Sequence, residues 1–155
     1  MVRVERTYLV NSTEEDLWSL VTDPDVKVDL LSPVQDYEPT KNGYRWLIEA
    51  PVIGETPLKT DTVTKEPNSV VKYRGKKFMI KVTTIHRILD NPDPDDIDAV
   101  GDVDDPDEGI GIYNRFNVKT RIPGGEKGFK DAFERKEKEK KEEVLEFIES
   151  FEADS

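Results

Sequence analysis

Apolar and polar residues alternate with a period of two over most of the chain, and the exceptions fall near its two ends. Over 2–10, Val2, Val4, Tyr8 and Val10 alternate loosely with Arg3, Glu5 and Thr7, which predicts a first strand. The spacing then changes to that of a helix, with Leu17, Trp18, Leu20 and Val21 as its buried face. Ser12 with Glu15 three residues on reads as a capping box, and Glu14, Glu15 and Asp16 suit the positive end of the helix dipole. Asp23-Pro24 stops this helix, and a short second one is predicted over 25–31, closed by Ser32-Pro33. Alternation then returns and predicts strands over 34–40, 44–53, 57–66, 70–76, 78–89 and 110–122. Lys41-Asn42-Gly43 and Pro67-Asn68-Ser69 are the turns between successive pairs. Consecutive strands joined by short turns make an antiparallel meander.

The last predicted element, over 124–152, is a long helix. Gly124-Gly125 opens it, no Gly or Pro follows Gly128, and the residues are mostly strong helix formers. Phe129, Phe133, Val144, Phe147, Ile148 and Phe151 share one face. A single apolar stripe needs a surface to lie on, so the pattern predicts an α+β fold in which a sheet grips one long helix. Residues 134–143 break the stripe, because all ten are charged and the wheel turns Lys136 and Lys140 toward the phenylalanine face. Three arrangements fit this gap. The lysine stems could cover the sheet edge, or the two apolar ends could pack on separate surfaces (a second chain or the far end of the same sheet). In the third, Lys140 stands over a cavity and pairs with an anionic head group. A helix of ~26 residues is ~40 Å long, more than a short sheet covers.

Period-two alternation assigns faces. Tyr44, Trp46, Ile48, Ala50 and Val52 form one inward set, Phe78, Ile80, Val82, Thr84, His86 and Ile88 a second, and Ile110, Ile112, Asn114, Phe116, Val118 and Ile122 a third. Arg45, Glu49, Lys81, Arg87, Arg115, Lys119 and Arg121 fall on the opposite faces.

Composition narrows the function classes. The 155 residues suit one domain, and with 35% hydrophobic against 37% charged residues the core has to be economical. A net charge of -11 argues against nucleic acid and against anionic membrane surfaces as partners. With no cysteine, disulfides and thiolate metal sites are excluded. The sequence carries no apolar signal core and no stretch near the ~20 residues of a membrane span, so a cytoplasmic protein without stable membrane insertion is expected. The acidic excess concentrates in one segment. From Asp90 to Glu108 there are nine Asp and one Glu with no Lys or Arg. Such oxygen density suits Ca²⁺, but the spacing of a calcium loop is absent. Like charges and three prolines predict a solvated, extended acidic insertion over 91–108 between the last two strands, and no metal site.

The strand Val-Glu-Arg-Thr-Tyr-Leu-Val, the helix Ser-Thr-Glu-Glu-Asp-Leu-Trp-Ser-Leu-Val-Thr-Asp-Pro, the meander and the terminal helix together resemble the START-like helix-grip (SRPBCC) superfamily. Within it the resemblance is to the polyketide cyclase/dehydrase and lipid-transport type, near the G-type proteins of carbon monoxide dehydrogenase. The segment Asn114-Arg115-Phe116-Asn117-Val118 leading into Ile122-Pro123-Gly124 is similar to the way that type ends. The resemblance implies a single helix-grip domain over 1–155. Its antiparallel curved sheet of about six to seven strands would wrap around the C-terminal helix, with two short helices after the first strand. It also implies a cavity between sheet and helix that holds a hydrophobic small molecule such as a lipid, isoprenoid or quinone.

Tyr44, Trp46, Ile48, Tyr73, Phe78, Ile80, Phe116, Phe129 and Phe133 are the apolar candidates for that wall, with Thr84, His86, Asn114 and Lys140 as polar ones. Arg45 and Asp61 are further polar candidates. His86, the single histidine, is the one weak candidate for a general base. No Gly-rich phosphate loop, metal-ligating histidine cluster or Ser/His/Asp set is present, so no cofactor is expected and binding is favoured over catalysis. A polyketide cyclase-type enzyme is one alternative. An accessory protein of a redox enzyme, meeting its partner through the acidic loop or 147–151, is another, and a homodimer is a third association the long helix would allow.

Overall fold

The structure is a computed structural model. It describes residues 1–26, 34–50, 54–77 and 79–152, and of Ala50, Pro106, Lys136, Lys140 and Lys141 only the backbone. The predicted strand 44–53 therefore ends outside the described residues, as does most of the predicted second helix over 25–31, of which 25 and 26 are described and helical.

Strand β1 (Val2–Val10) leads into helix α1 (Glu14–Thr22). Five strands follow: β2 (Val34–Pro39), β3 (Gly43–Ala50), β4 (Gly54–Glu66), β5 (Val70–Lys77) and β6 (Ile80–Leu89). Inside the acidic segment lies a two-residue strand, β7 (Ala99–Val100), and beyond it come β8 (Ile110–Thr120) and helix α2 (Gly125–Ser150). The sheet runs β2-β3-β4-β5-β6-β8-β1-β7. Its ladders are antiparallel except for β7, which pairs with β1 in parallel.

The sheet thus has eight strands, one more than alternation predicts. The extra strand lies in the acidic insertion, which does more than project into solvent. Asp98 accepts from the Thr7 amide at 2.7 Å through Oδ2, and the Asp98 and Gly101 amides donate to Thr7 and Leu9 carbonyls at 2.8 Å each. Two 3₁₀ turns, Pro94–Asp96 and Pro106–Glu108, carry Asp93 and Asp105 as side-chain caps. Gly109 approaches so closely that an added Cβ would meet Leu9 at 2.8 Å, so Leu9 is buried on the outer face of the sheet. The segment covers the free edge of β1, a common way to block edge-to-edge pairing.

Helix α1 is capped one residue later than the capping box predicts. Thr13 holds an extended conformation and its Oγ1 accepts from the Asp16 amide at 3.2 Å. Ser12 Oγ is buried and makes no hydrogen bond among the described residues. The shift leaves Leu17, Leu20 and Val21 as the buried face. At the entry to α2, Gly124 has φ +74°, a left-handed conformation that costs glycine little and lets the chain turn sharply from β8.

Two separate cores form along the concave face. One gathers Tyr8, Val10, Leu17, Leu20, Val21, Val71, Tyr73, Ile88, Ile112 and Ile148, with Trp18, Val144, Phe147 and Phe151 packed on it. The other gathers Trp46, Ile48, Leu58, Ile80, Val82, Val118, Ile122 and Phe129. Helix α2 spans both, its first turns on the second core and its last turns on the first. Its two apolar ends therefore rest on opposite ends of one sheet.

Candidate functional site

Between the two cores, beneath the middle of α2, lies a cavity of about 110 Å³. Its walls are largely apolar. Val4 and Tyr8 come from β1, Leu20 and Val21 from α1, Ile112 and Phe116 from β8, and Phe133, Val144 and Ile148 from α2, with Val26 closing one side. The inward positions of three adjacent strands bring Arg6, Thr84, His86 and Asn114 to the same space.

The roof is polar. The charged stretch of α2 crosses the cavity, and among its described side chains the one that turns inward is Glu137, one turn after Phe133. Arg6 Nε lies 2.7 Å from both oxygens of its carboxylate, with the N–H aimed at Oε1. The two side chains are 27% and 23% exposed, so this pair is only partly screened by water. Burial depresses the Arg6 pKa, but the hydrogen bond and charge of Glu137 outweigh it, and the guanidinium ends above its ordinary value. The wheel placed Lys136 and Lys140 where Glu137 stands. Their side chains lie outside the described residues.

His86 is buried and faces Asn114, directly opposite it on β8, with Nδ1 and Oδ1 2.7 Å apart. An amide oxygen only accepts, so this contact puts the imidazole proton on Nδ1 in the neutral form. Tyr73 sits edge-on to the imidazole at 6.3 Å, behind the cavity, and its hydroxyl donates to the Val21 carbonyl at 3.4 Å. Phe116 and Phe133 stack with centroids 5.7 Å apart, linking sheet to helix at the cavity wall.

Of the residues singled out in the sequence, Thr84, His86, Asn114, Phe116 and Phe133 meet around this cavity. Trp46, Ile48, Ile80 and Phe129 do not; they fill the second core, where Trp46 Nε1 donates to Thr60 Oγ1 at 2.7 Å. Tyr44 packs on Trp46 and Tyr37 at centroid distances of 5.2 and 5.8 Å. Arg45 lies near Glu38 (3.7 Å) and Asp61 is exposed opposite Arg74, both away from the cavity. Phe78 and the Lys140 side chain lie outside the described residues. Sequence reasoning missed Arg6 and Glu137, and Val4, Tyr8, Leu20 and Val21 entered it only as strand and helix positions. Arg6 had a signal: it shares the parity of Val4 and Tyr8, an arginine on the inward face of a strand.

Burial, and secondly the negative charge of Glu137, push the Tyr8 phenol from 10.0 to about 12. An acid whose folded pKa is raised keeps its full contribution to stability below its unfolded pKa and loses it as pH rises through the folded one. Urea midpoints should therefore fall between about pH 10 and about pH 12, and Tyr8→Phe should make that fall shallower. An unchanged slope in Tyr8→Phe would place the loss elsewhere, with Tyr73, whose phenol burial raises further, as the next residue to replace.

No protein-family model matches the sequence, and no curated protein matches it significantly. Solved structures do match its fold. An aromatase/cyclase, Zhui, from a Streptomyces species aligns with TM-score 0.65 at 15% identity, over 96% of this chain and 93% of that one. A START superfamily protein from Mycobacterium smegmatis aligns with TM-score 0.62 at 12% identity, over 94% and 98%. A Deinococcus radiodurans protein aligns with TM-score 0.60 at 17% identity, over 94% and 100%. The architecture is the START-like helix-grip fold: α+β, with a curved, mostly antiparallel sheet against a long C-terminal helix. Among the described residues no helix is long and apolar enough to cross a membrane.

Proposed function

We propose that the protein binds a small hydrophobic molecule in the cavity between its two cores, with the Arg6–Glu137 and His86–Asn114 pairs fixing the orientation of a polar end. The observation that carries this reading is the cavity itself. It lies between sheet and helix in a helix-grip fold, its walls are mostly apolar, and a few polar groups stand on its roof and floor. Its size favours a ring over a chain. A dry cavity of about 150 Å³ takes up benzene, so one of 110 Å³ is at most the size of a single ring and admits a quinone or similar head group only as its walls give. An isoprenoid or acyl tail would need α2 to shift or would lie outside.

A cyclase-type enzyme is the second reading, favoured by the 2.7 Å His86–Asn114 contact inside the cavity and by the aromatase/cyclase among structures of this fold. Native mass spectrometry of the purified protein, followed by melting curves across short-chain quinones, phenols and lipids, tests the first. The expected result is a bound or stabilising single-ring compound whose effect is lost in Val144→Phe, which fills the cavity from the helix side. Absence of any such ligand, or stabilisation indifferent to Val144→Phe, would overturn it. Cyclisation of a poly-β-ketone chain that His86→Ala abolishes would select the enzyme.

A further inference from the structure

The net charge of -11 conceals a separation of sign. Acidic residues crowd the 90–108 segment beside β1, whereas the outward positions of the central strands carry Lys72, Arg74 and Lys76 on β5, Lys81 and Arg87 on β6, and Lys119 on β8. In this row the sheet register sets Lys76 directly opposite Lys81, and Lys81 directly opposite Lys119. Like charges directly opposed on neighbouring strands are destabilising, and the middle lysine suffers twice. No carboxylate among the described residues lies within ion-pair distance of Lys76, Lys81, Lys119 or Arg121. Glu126 is close enough to feel Lys119 weakly, but the Met1 ammonium engages it at 2.9 Å and is the main reason its carboxyl is held below the usual range.

These four cations line a single groove of about 240 Å³ with Met79 and Thr120, where the chain turns from β5 to β6 and leaves β8 for α2. Lys81 and Lys119 alternate with Ile80, Val82 and Val118, which are buried in the second core, so the groove opens on the face of the sheet away from α2 and the cavity.

We propose that this groove binds a compact, multiply charged phosphate group, that of a phosphorylated or diphosphorylated small molecule or of a lipid headgroup. A monoanion would relieve one opposition in the lysine row, whereas a di- or trianion can relieve both, with Arg121 offering a planar fork to two phosphate oxygens. The space is that of about eight waters at about 30 Å³ each, enough for a diphosphate and part of its hydration shell. A compact anion here sits within one Debye length, about 8 Å at physiological ionic strength, of the four cations. An extended polyanion would also run past Glu5, Asp61 and Glu66, so the charge pattern favours the compact one.

The test is calorimetric titration of the full chain with sodium pyrophosphate at about 0.15 M ionic strength, with melting temperatures measured alongside. Saturable one-to-one binding is expected. Lys81→Gln and Lys119→Gln should each weaken it about tenfold, a loss of about 1.4 kcal/mol, while Lys81→Gln raises the melting temperature of the ligand-free protein. Co-sedimentation with phosphatidylcholine vesicles carrying a phosphoinositide, against plain vesicles, distinguishes a headgroup from a free compound. No saturable binding of pyrophosphate or of the phosphoinositide vesicles would overturn the proposal, as would equal binding by the wild type and both variants. Stabilisation by Lys81→Gln without any anion binding reduces the row to surface repulsion and overturns it too. Because the groove and the cavity lie on opposite faces, neither result bears on the cavity ligand.

Discussion

Replacing Ile112 by Ala is expected to lower the unfolding free energy by about 2–5 kcal/mol, in the upper half of that range. Ile112 is 1% exposed and sits on β8, which is hydrogen-bonded to β6 on one side and β1 on the other. Neither neighbour can move in without breaking a ladder, so the site cannot collapse onto the missing atoms. The space vacated also joins a cavity that already exists, and the cost grows by about 24 cal/mol per Å³ of residual void. Ile112→Val removes one methylene and should cost only about 0.5–1.5 kcal/mol. Urea unfolding of the two variants measures both, and a cost below about 1 kcal/mol for Ile112→Ala would mean that the wall is pliable. A ligand held in the cavity should also raise the melting temperature of Ile112→Ala by more than it raises the wild type, since it fills the larger void.

The fold was legible because its strands sit half-buried. Residues 80–89 alternate Ile80, Val82 and Ile88 against Lys81, Thr83 and Arg87, and the structure buries the first set. Asn68 with φ 61° sits in a turn that its residue type announces. Two features escaped this reading for physical reasons. Strand β7 is two residues long and stands between Asp98 and Gly101, so it carries no period; it exists because the unpaired edge of β1 offers it backbone partners. The cap moved from Ser12 to Thr13 because both are good caps three residues before a carboxylate, and local sequence does not rank them.

The site was legible in part, and the split follows the two cores. An aromatic on the inward face of a sheet looks the same in sequence whether it meets another side chain or empty space. Trp46 and Phe129 meet each other's neighbours in a filled core, while Phe116 and Phe133 border the void. What separates them is where the helix crosses the sheet, a tertiary fact. The charged interruption of the α2 stripe was the useful sequence signal, since it marks the place where the helix leaves apolar packing. Its meaning depended on a partner 131 residues away.

That partner makes the last prediction. Glu137→Gln keeps the shape of the roof and an acceptor for the Arg6 N–H but removes the charge facing it, leaving a half-buried guanidinium whose desolvation is offset only by neutral acceptors, the Glu5 carbonyl among them, and by the charge of Asp98. Stranding one member of a buried charged hydrogen bond costs about 1–3 kcal/mol. The residual exposure of the pair puts this case near the lower end, about 1–2 kcal/mol, since solvent takes up part of the loss. Arg6→Met alone should cost a similar amount by leaving the carboxylate unpaired, whereas Arg6→Met with Glu137→Leu should cost much less than the sum, or stabilise, because apolar replacement of a whole buried pair removes both desolvation penalties. Such a double-mutant cycle separates two roles for the pair. If it only fastens α2 to β1, the double variant regains stability and binds the cavity ligand as the wild type does. If it orients the ligand's polar end, stability returns but affinity does not, and the selectivity between a quinone and the same ring without its oxygens disappears. The second outcome is the one expected, because the pair lines the cavity when it could have been placed on the outer surface, and both of its members reach the void between the cores.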